Sequence, residues 1–307
     1  MKSIRISREW RIVCFIALVF ASLNLFHVFY WAFKAPPNTI FIGITHWYED
    51  YFFYLSQLTQ AASGRWQLAH AYTFEAIPLG YNWIFNLILG KIAGVLSIPP
   101  WRFFDGAIFV LSVGYILLMY QTIQEIFTAK EEKHFRIPAL LMGLMSTQTV
   151  LFEQSATSFV PKAVTFFYAY TDAWNRLGGV AHQILQNILG LYAILLFSRI
   201  VNGLLSKTTN NKLPLKKILL LSAAVTSLFV ISAFFGVVNL AVFGVVLIYY
   251  HFASKTIRFN KTIIVSIIAV LLPIALLAVY ETSIIDHPFW VGVRLWEQSR
   301  VRAAIGT

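Results

Sequence analysis

His46-Trp-Tyr-Glu-Asp-Tyr-Phe-Phe-Tyr-Leu-Ser-Gln-Leu-Thr-Gln-Ala-Ala-Ser-Gly-Arg65 follows a long apolar run and is itself too polar to cross a membrane. Residues 47–63 have helical periodicity. Phe52, Leu55, Leu58 and Ala62 fall on one face, and Asp50, Tyr54, Gln57 and Gln60 on another. The pattern predicts a helix lying in the water–lipid interface, with Gly64 as its stop. Two adjacent acids, Glu49 and Asp50, open it. Ionisable groups at membrane depth are costly and usually functional, so this pair is the first candidate for chemistry.

The rest of the chain explains why acids here are informative. It has 307 residues, 58% hydrophobic and only 12% charged. A soluble domain carries about 25% charged residues, so the composition is that of an integral membrane protein. The formal net charge is +11. The basic residues cluster in short loops between apolar runs, as the positive-inside rule expects, and this argues against nucleic-acid binding. The single cysteine, Cys14, lies in the first apolar run, so no disulfide can form within the chain. The basic N-terminus and the long run after it, without a small-residue cleavage site, predict an uncleaved signal anchor with a cytoplasmic N-terminus.

The predicted architecture is all-α, a polytopic transmembrane helix bundle forming one domain over 1–307. The first span covers about Trp10 to Phe33, and residues 34–78 form an outside loop that contains the interfacial helix. Further spans are predicted near 79–97, 103–127, 138–152, 184–204, 218–252 (two) and 262–280. The short break Ser97-Ile-Pro-Pro-Trp-Arg102 makes 79–97 and 103–127 a helical hairpin. Purely basic loops, Arg199 to Lys217 and Lys255 to Lys261, belong on the cytoplasmic side. Counting back puts 171–183 outside, on the side of Glu49-Asp50. Parity then asks for one more crossing, for which Ser158–Tyr170, with Pro161 and Lys162, is the candidate. Residues 153–183 are therefore a second outside or re-entrant region, and the total is nine crossings, or eight with one re-entrant element.

Three groups of residues are candidates for a site. Asp50, with Glu49, can act as a general base toward a hydroxyl or hold a divalent cation; the plain alternative is a carboxylate favoured by a helix N-terminus. His46, Arg65, His70 and Glu75 share the same loop and could meet a phosphate or a sugar, arginine bidentately; the alternative is snorkelling to lipid headgroups. Asp172, Asn175, Arg176, His182 and Gln183 crowd around Gly178-Gly179, where an arginine and backbone amides at a helix start make an anion site. The alternative there is an ordinary polar loop with an exposed Asp172–Arg176 pair. Other polar residues have structural readings. Lys91 is expected to snorkel, Arg102 and Asp105 to pair, and Gln148, Gln154 and Asn239 to bond across helices. Glu281, Asp286 and His287 could complete a site from the tail. No metal motif such as HExxH occurs, so no cofactor is required by the sequence.

The order of these features carries a resemblance. An acid-bearing loop after the first span is followed by Ala62-Ser-Gly-Arg-Trp66, Pro78-Leu-Gly-Tyr-Asn-Trp83, Leu89-Gly-Lys-Ile-Ala-Gly94 and, later, Asn175-Arg-Leu-Gly-Gly with His182-Gln183. Over about residues 10–200 this resembles the N-terminal module of GT-C integral-membrane glycosyltransferases, of the protein mannosyltransferase and aminoarabinose transferase type, and related bacterial polytopic proteins. The resemblance implies transfer of a sugar from a polyprenyl-phosphate lipid to an acceptor at the outer face of a bacterial inner membrane. It maps the catalytic or metal-linked carboxylate onto Asp50, with Glu49 beside it, and the lipid-phosphate cation onto Arg65 or Arg176. Members of the family usually run longer. The end at Ala303-Ala-Ile-Gly-Thr307, soon after the last span, leaves a fragment and a divergent short form both open. A transporter or flippase would instead show paired broken spans in two halves, and a non-catalytic subunit would show polar groups that do not converge.

Overall fold

The computed structural model of the chain describes residues 7–43, 48–66, 68–69, 84–145, 151–154, 159–162, 180–205, 214–253, 261–288, 290–292, 295 and 298. Among them the protein is helical apart from one short hairpin. Four helices are long and apolar enough to cross a membrane, or five if a bent pair at the N-terminus counts as one span. This is the helix content of an integral membrane protein. The chain divides into two compact units, one of residues 1–65 and 85–195, the other of 66–84 and 196–307.

The first unit begins with α1, Arg8–Asn24, capped by the Ser7 hydroxyl, which accepts the Trp10 N–H at 3.3 Å. It bends by 47° at Leu25 into α2, Phe26–Lys34. The interfacial segment forms α3, Tyr48–Ala62. It ends as the sequence predicts. Gly64 takes φ 102°, its N–H bonds the Ala61 carbonyl at 3.0 Å, and the Arg65 N–H bonds Gln60 at 3.1 Å. This is a Schellman closure, which a Cβ at the left-handed position would strain.

α4 is Ile84–Val95 and α5 is Pro100–Ile126. The expected hairpin break is there, with Pro100 at the first position of α5, where its missing N–H costs nothing. The expected span at 79–97 differs. α4 has 12 residues, about 18 Å, against a hydrocarbon core of about 30 Å. Gly90 and Gly94 pack on α3, whereas Ile88, Ile92 and Val95 are exposed; residues 79–83 lie outside the described residues. A Cβ at Gly90 would press on the Leu58 carbonyl and come within 2.6 Å of the Ala61 Cβ; one at Gly94 would come within 2.5 Å of the Ala62 carbonyl. The Gly-x-x-x-Gly spacing thus lets the two backbones touch.

After a 3-10 segment, Lys130–Phe135, α6 covers Arg136–Met145. Strands β1, Leu151–Gln154, and β2, Phe159–Lys162, pair antiparallel with Leu151 opposite Lys162. Two sequence expectations change here. The apolar run at 138–152 is a ten-residue helix followed by a strand, and the start of the candidate crossing 158–170 is a strand. An open two-stranded pair leaves edge amides that hydrocarbon cannot satisfy.

The core of this unit joins Val13 and Ala17 of α1, Leu58 of α3, Phe104, Ile108 and Ile116 of α5, Leu140 of α6, and Ala181 and Ile184 of α7, Ala181–Leu205. At the C-terminal end of α5, Trp10 meets Tyr120 edge-on at 5.1 Å between centroids. There Arg136, nearly buried, donates from Nε and Nη2 to the Phe127 carbonyl at 3.0 and 2.6 Å and lies 3.9 Å from Glu9.

The second unit contains the C-terminal part of α7 with α8, Leu215–Ile231, α9, Ala233–Ile248, and α10, Lys261–Ile284. The break predicted near 233–236 falls at Ser232. Gly236 faces the Phe229 ring, and a Cβ there would stand 2.6 Å from Cε2. Phe197 and Phe243 stack at 4.2 Å, and the Ser222 hydroxyl donates to the Ala269 carbonyl of α10.

Candidate functional site

α3 carries most of the candidate site, and its position is fixed from below by α4. Gln57 and Asn86 are both buried, and the Asn86 amide donates to the Gln57 Oε1 at 2.7 Å. Lys91 does not snorkel. Its ammonium donates to the Gly64 carbonyl at 2.6 Å, capping the negative end of the α3 dipole. With the two glycine contacts, α3 and α4 form one packed platform.

At the other end of α3, Tyr51 and Tyr54 point toward different segments. Tyr51 donates from its hydroxyl to the Ile42 carbonyl and sets its ring edge-on to Phe104 at 5.8 Å. A Cβ at Gly43 would stand 3.1 Å from that hydroxyl and 3.2 Å from both carboxylate oxygens of Asp105. Gly43 also has φ 88°, so glycine is required there twice over. Tyr54 meets the His182 ring edge-on at 5.1 Å. Asp50, one turn earlier on the same face, is exposed and close enough for its charge to act on Tyr54. Burial first, and then Asp50, push the Tyr54 phenol above its ordinary value. Burial first, and then Asp105, do the same to Tyr51. Both phenols are therefore protonated hydrogen-bond donors at neutral pH.

Two regions that sequence reasoning selected separately thus share Tyr54: its ring meets His182 of α7, and the charge of Asp50 of α3 acts on its phenol. Gln183 is half-buried beside His182 in the first turn of α7. Arg65 is not part of this group. It is exposed past the far end of α3, about 18 Å or more along the axis from Asp50. Glu49 is in the first turn of α3, its side chain outside the described residues, as are His46, His70, Glu75, Asp172, Asn175, Arg176 and Gln148 altogether. Glu281, Asp286 and His287 belong to the second unit. Asn239 bonds within its own helix, to the Phe235 carbonyl at 3.0 Å.

Sequence reasoning missed Asp105, Tyr51 and Tyr54. The expected Arg102–Asp105 pairing is replaced by Arg102 over the Trp101 ring at 4.8 Å, with Asp105 turned to Tyr51 and Gly43. The available signal was the cost of an acid inside an otherwise apolar span. Among the described residues, no group of three or more His, Cys, Asp or Glu is placed to hold a metal ion. Chemically, the arrangement offers an exposed carboxylate beside a neutral phenol and an imidazole, the parts of a proton-transfer site. No known protein family, curated protein or solved structure matches the chain.

Proposed function

We propose that this protein is a GT-C-type membrane glycosyltransferase that moves a sugar from a polyprenyl-phosphate lipid to an acceptor hydroxyl at the outer membrane face, with its N-terminus in the cytoplasm. Asp50 takes the hydroxyl proton as the hydroxyl oxygen bonds the anomeric carbon. The bond from that carbon to the phosphate oxygen breaks in the same displacement, and polyprenyl phosphate leaves with the electron pair. The observation that carries this reading is that Asp50 and His182 share Tyr54. Tyr54 orients the carboxylate, and His182 packs the phenol in place. With Arg65 at the far end of α3, the lipid phosphate falls to Arg176.

Orientation follows from the poles of the first unit. The basic N-terminal end of α1 lies by the C-terminal end of α5, and Tyr51 lies by its N-terminal end. A cytoplasmic N-terminus therefore turns Asp50 outward. The sequence-based topology of eight to nine crossings counts α8, at 17 residues, beyond the four or five spans.

The test is transfer from a panel of radiolabelled polyprenyl-phosphate sugars by the full chain in proteoliposomes. Asp50→Asn lowers transfer by about 10²- to 10³-fold, the usual worth of a general base, with binding of the donor retained. Unchanged transfer removes Asp50 from the mechanism. A wild-type chain that transfers none of the panel overturns the activity itself.

A further inference from the structure

Where α3 and α4 end together, α5 begins. This tip exposes large apolar side chains: Val95 is 85% exposed, with Leu96 and Ile98 also exposed. The turn is a fixed shape rather than a loose link. Ser97 takes φ 53°, its N–H bonds the Gly94 carbonyl at 3.1 Å, and the Ile98 N–H closes on Ala93 at 3.0 Å. Around it stand Arg65, Lys91 and Arg102. Lys91 is tied to Gly64 at the end of α3, and Arg102 is stacked on Trp101. No acid occurs among the described residues from 51 to 104. The opposite end of α5 differs: Lys130 and Lys133 there alternate with Glu131 and Glu132.

The length of α5 says where this tip lies. Twenty-seven residues make about 40 Å of helix, longer than a hydrocarbon core of about 30 Å. The first turn of α5 therefore emerges at headgroup level, and the tip with it. We propose that Val95–Ile98 is a membrane-anchoring surface for anionic phospholipid: the apolar side chains enter the acyl boundary, and Arg65 and Arg102 meet headgroup phosphates. Exposed apolar groups gain by leaving water. Cations with no acid among the described residues between them select anionic over zwitterionic lipid, and a tryptophan under an arginine suits the interface. The platform that bears Asp50 is then held at its far end by the leaflet itself. None of this depends on the transferase reading.

The experiment uses the full chain, with Cys14→Ser, in vesicles of phosphatidylcholine alone or mixed with phosphatidylglycerol. A nitroxide on Leu96→Cys is relaxed by oxygen far more than by a water-soluble nickel chelate. Spin-labelled phosphatidylglycerol is preferred over phosphatidylcholine at the protein boundary. Arg65→Gln and Arg102→Gln each lower that preference by about fivefold, the effect of roughly one cation near an anionic surface. The proposal is overturned by a label at position 96 as open to nickel as one on Lys133→Cys. It is also overturned by spin–spin broadening showing that a second copy covers the tip, or by a lipid preference unmoved by both arginine changes. Ile98→Cys gives the same readout if Leu96→Cys is poorly produced.

Discussion

At the C-terminal end of α5, Arg136 gives two hydrogen bonds to the Phe127 carbonyl and lies beside Glu9. At the N-terminal end, Asp105 faces the Tyr51 phenol and Gly43. One end uses its charge to finish a helix. The other holds a carboxylate against groups that do not neutralise it. A cation satisfying backbone carbonyls is a stability device. A partly buried acid beside a phenol is costly unless the site uses it.

The sharpest way to break this contrast is Arg136→Ala. It leaves the α5 terminus without its donors, and we expect a loss of about 3 kcal/mol, the scale of charge-assisted hydrogen bonds with a small addition from the partly exposed ion pair. Unfolding in detergent reads it, and a loss below 0.5 kcal/mol would end the assignment of this pole to stability. Next comes Gly90→Ala, which forces a methyl group against the Leu58 backbone and costs about 2 kcal/mol. If Gly90→Ala unfolds like the unaltered chain, α3 and α4 are not in contact. Asp105→Asn keeps the shape and costs about 1 kcal/mol or less. It should nevertheless slow the proposed sugar transfer by loosening the contact at Gly43. An effect on stability with no effect on rate would make both ends of α5 alike.

The smallest expected effect is alkaline. Tyr51 and Tyr54 have phenols raised above their ordinary value of 10.0 in the folded protein. The folded state thus holds those protons more tightly than the unfolded one. Their contribution is complete below about pH 10 and is lost as pH rises beyond it. Ultraviolet titration should show at least two fewer phenols ionising near pH 10 than in the unfolded chain, and a difference smaller by one after Tyr54→Phe. Identical titration curves would mean that neither phenol is shielded.

Much of this was readable from residues alone, and the misses share a cause. The boundaries of α3 followed from a 3.6-residue period and a glycine stop, both local signals. Its buried face did not. Periodicity put Phe52 inside and Gln57 outside, whereas Phe53 and Gln57 are buried and Phe52 is exposed. The reason is Asn86, which takes the Gln57 side chain inside from 29 residues away. Hydropathy likewise read 79–97 as one apolar run and could not separate the residues of α4 that meet α3, such as Gly90 and Gly94, from Ile88 and Ile92, which are exposed. Lys91 was expected to snorkel and Asp105 to pair with Arg102, but Lys91 bonds the Gly64 carbonyl and Asp105 lies beside Gly43. Asp50 and His182 were each legible as polar residues at a membrane edge; that they share Tyr54 needed the fold.

The joint at Leu25 has a consequence for the bilayer that fits this molecule. Unbent, the 26 residues of α1 and α2 would reach about 39 Å. With the second arm turned by 47°, the vertical rise falls to about 35 Å. Counted as one span, the bent pair is thereby shortened toward an ordinary bilayer thickness.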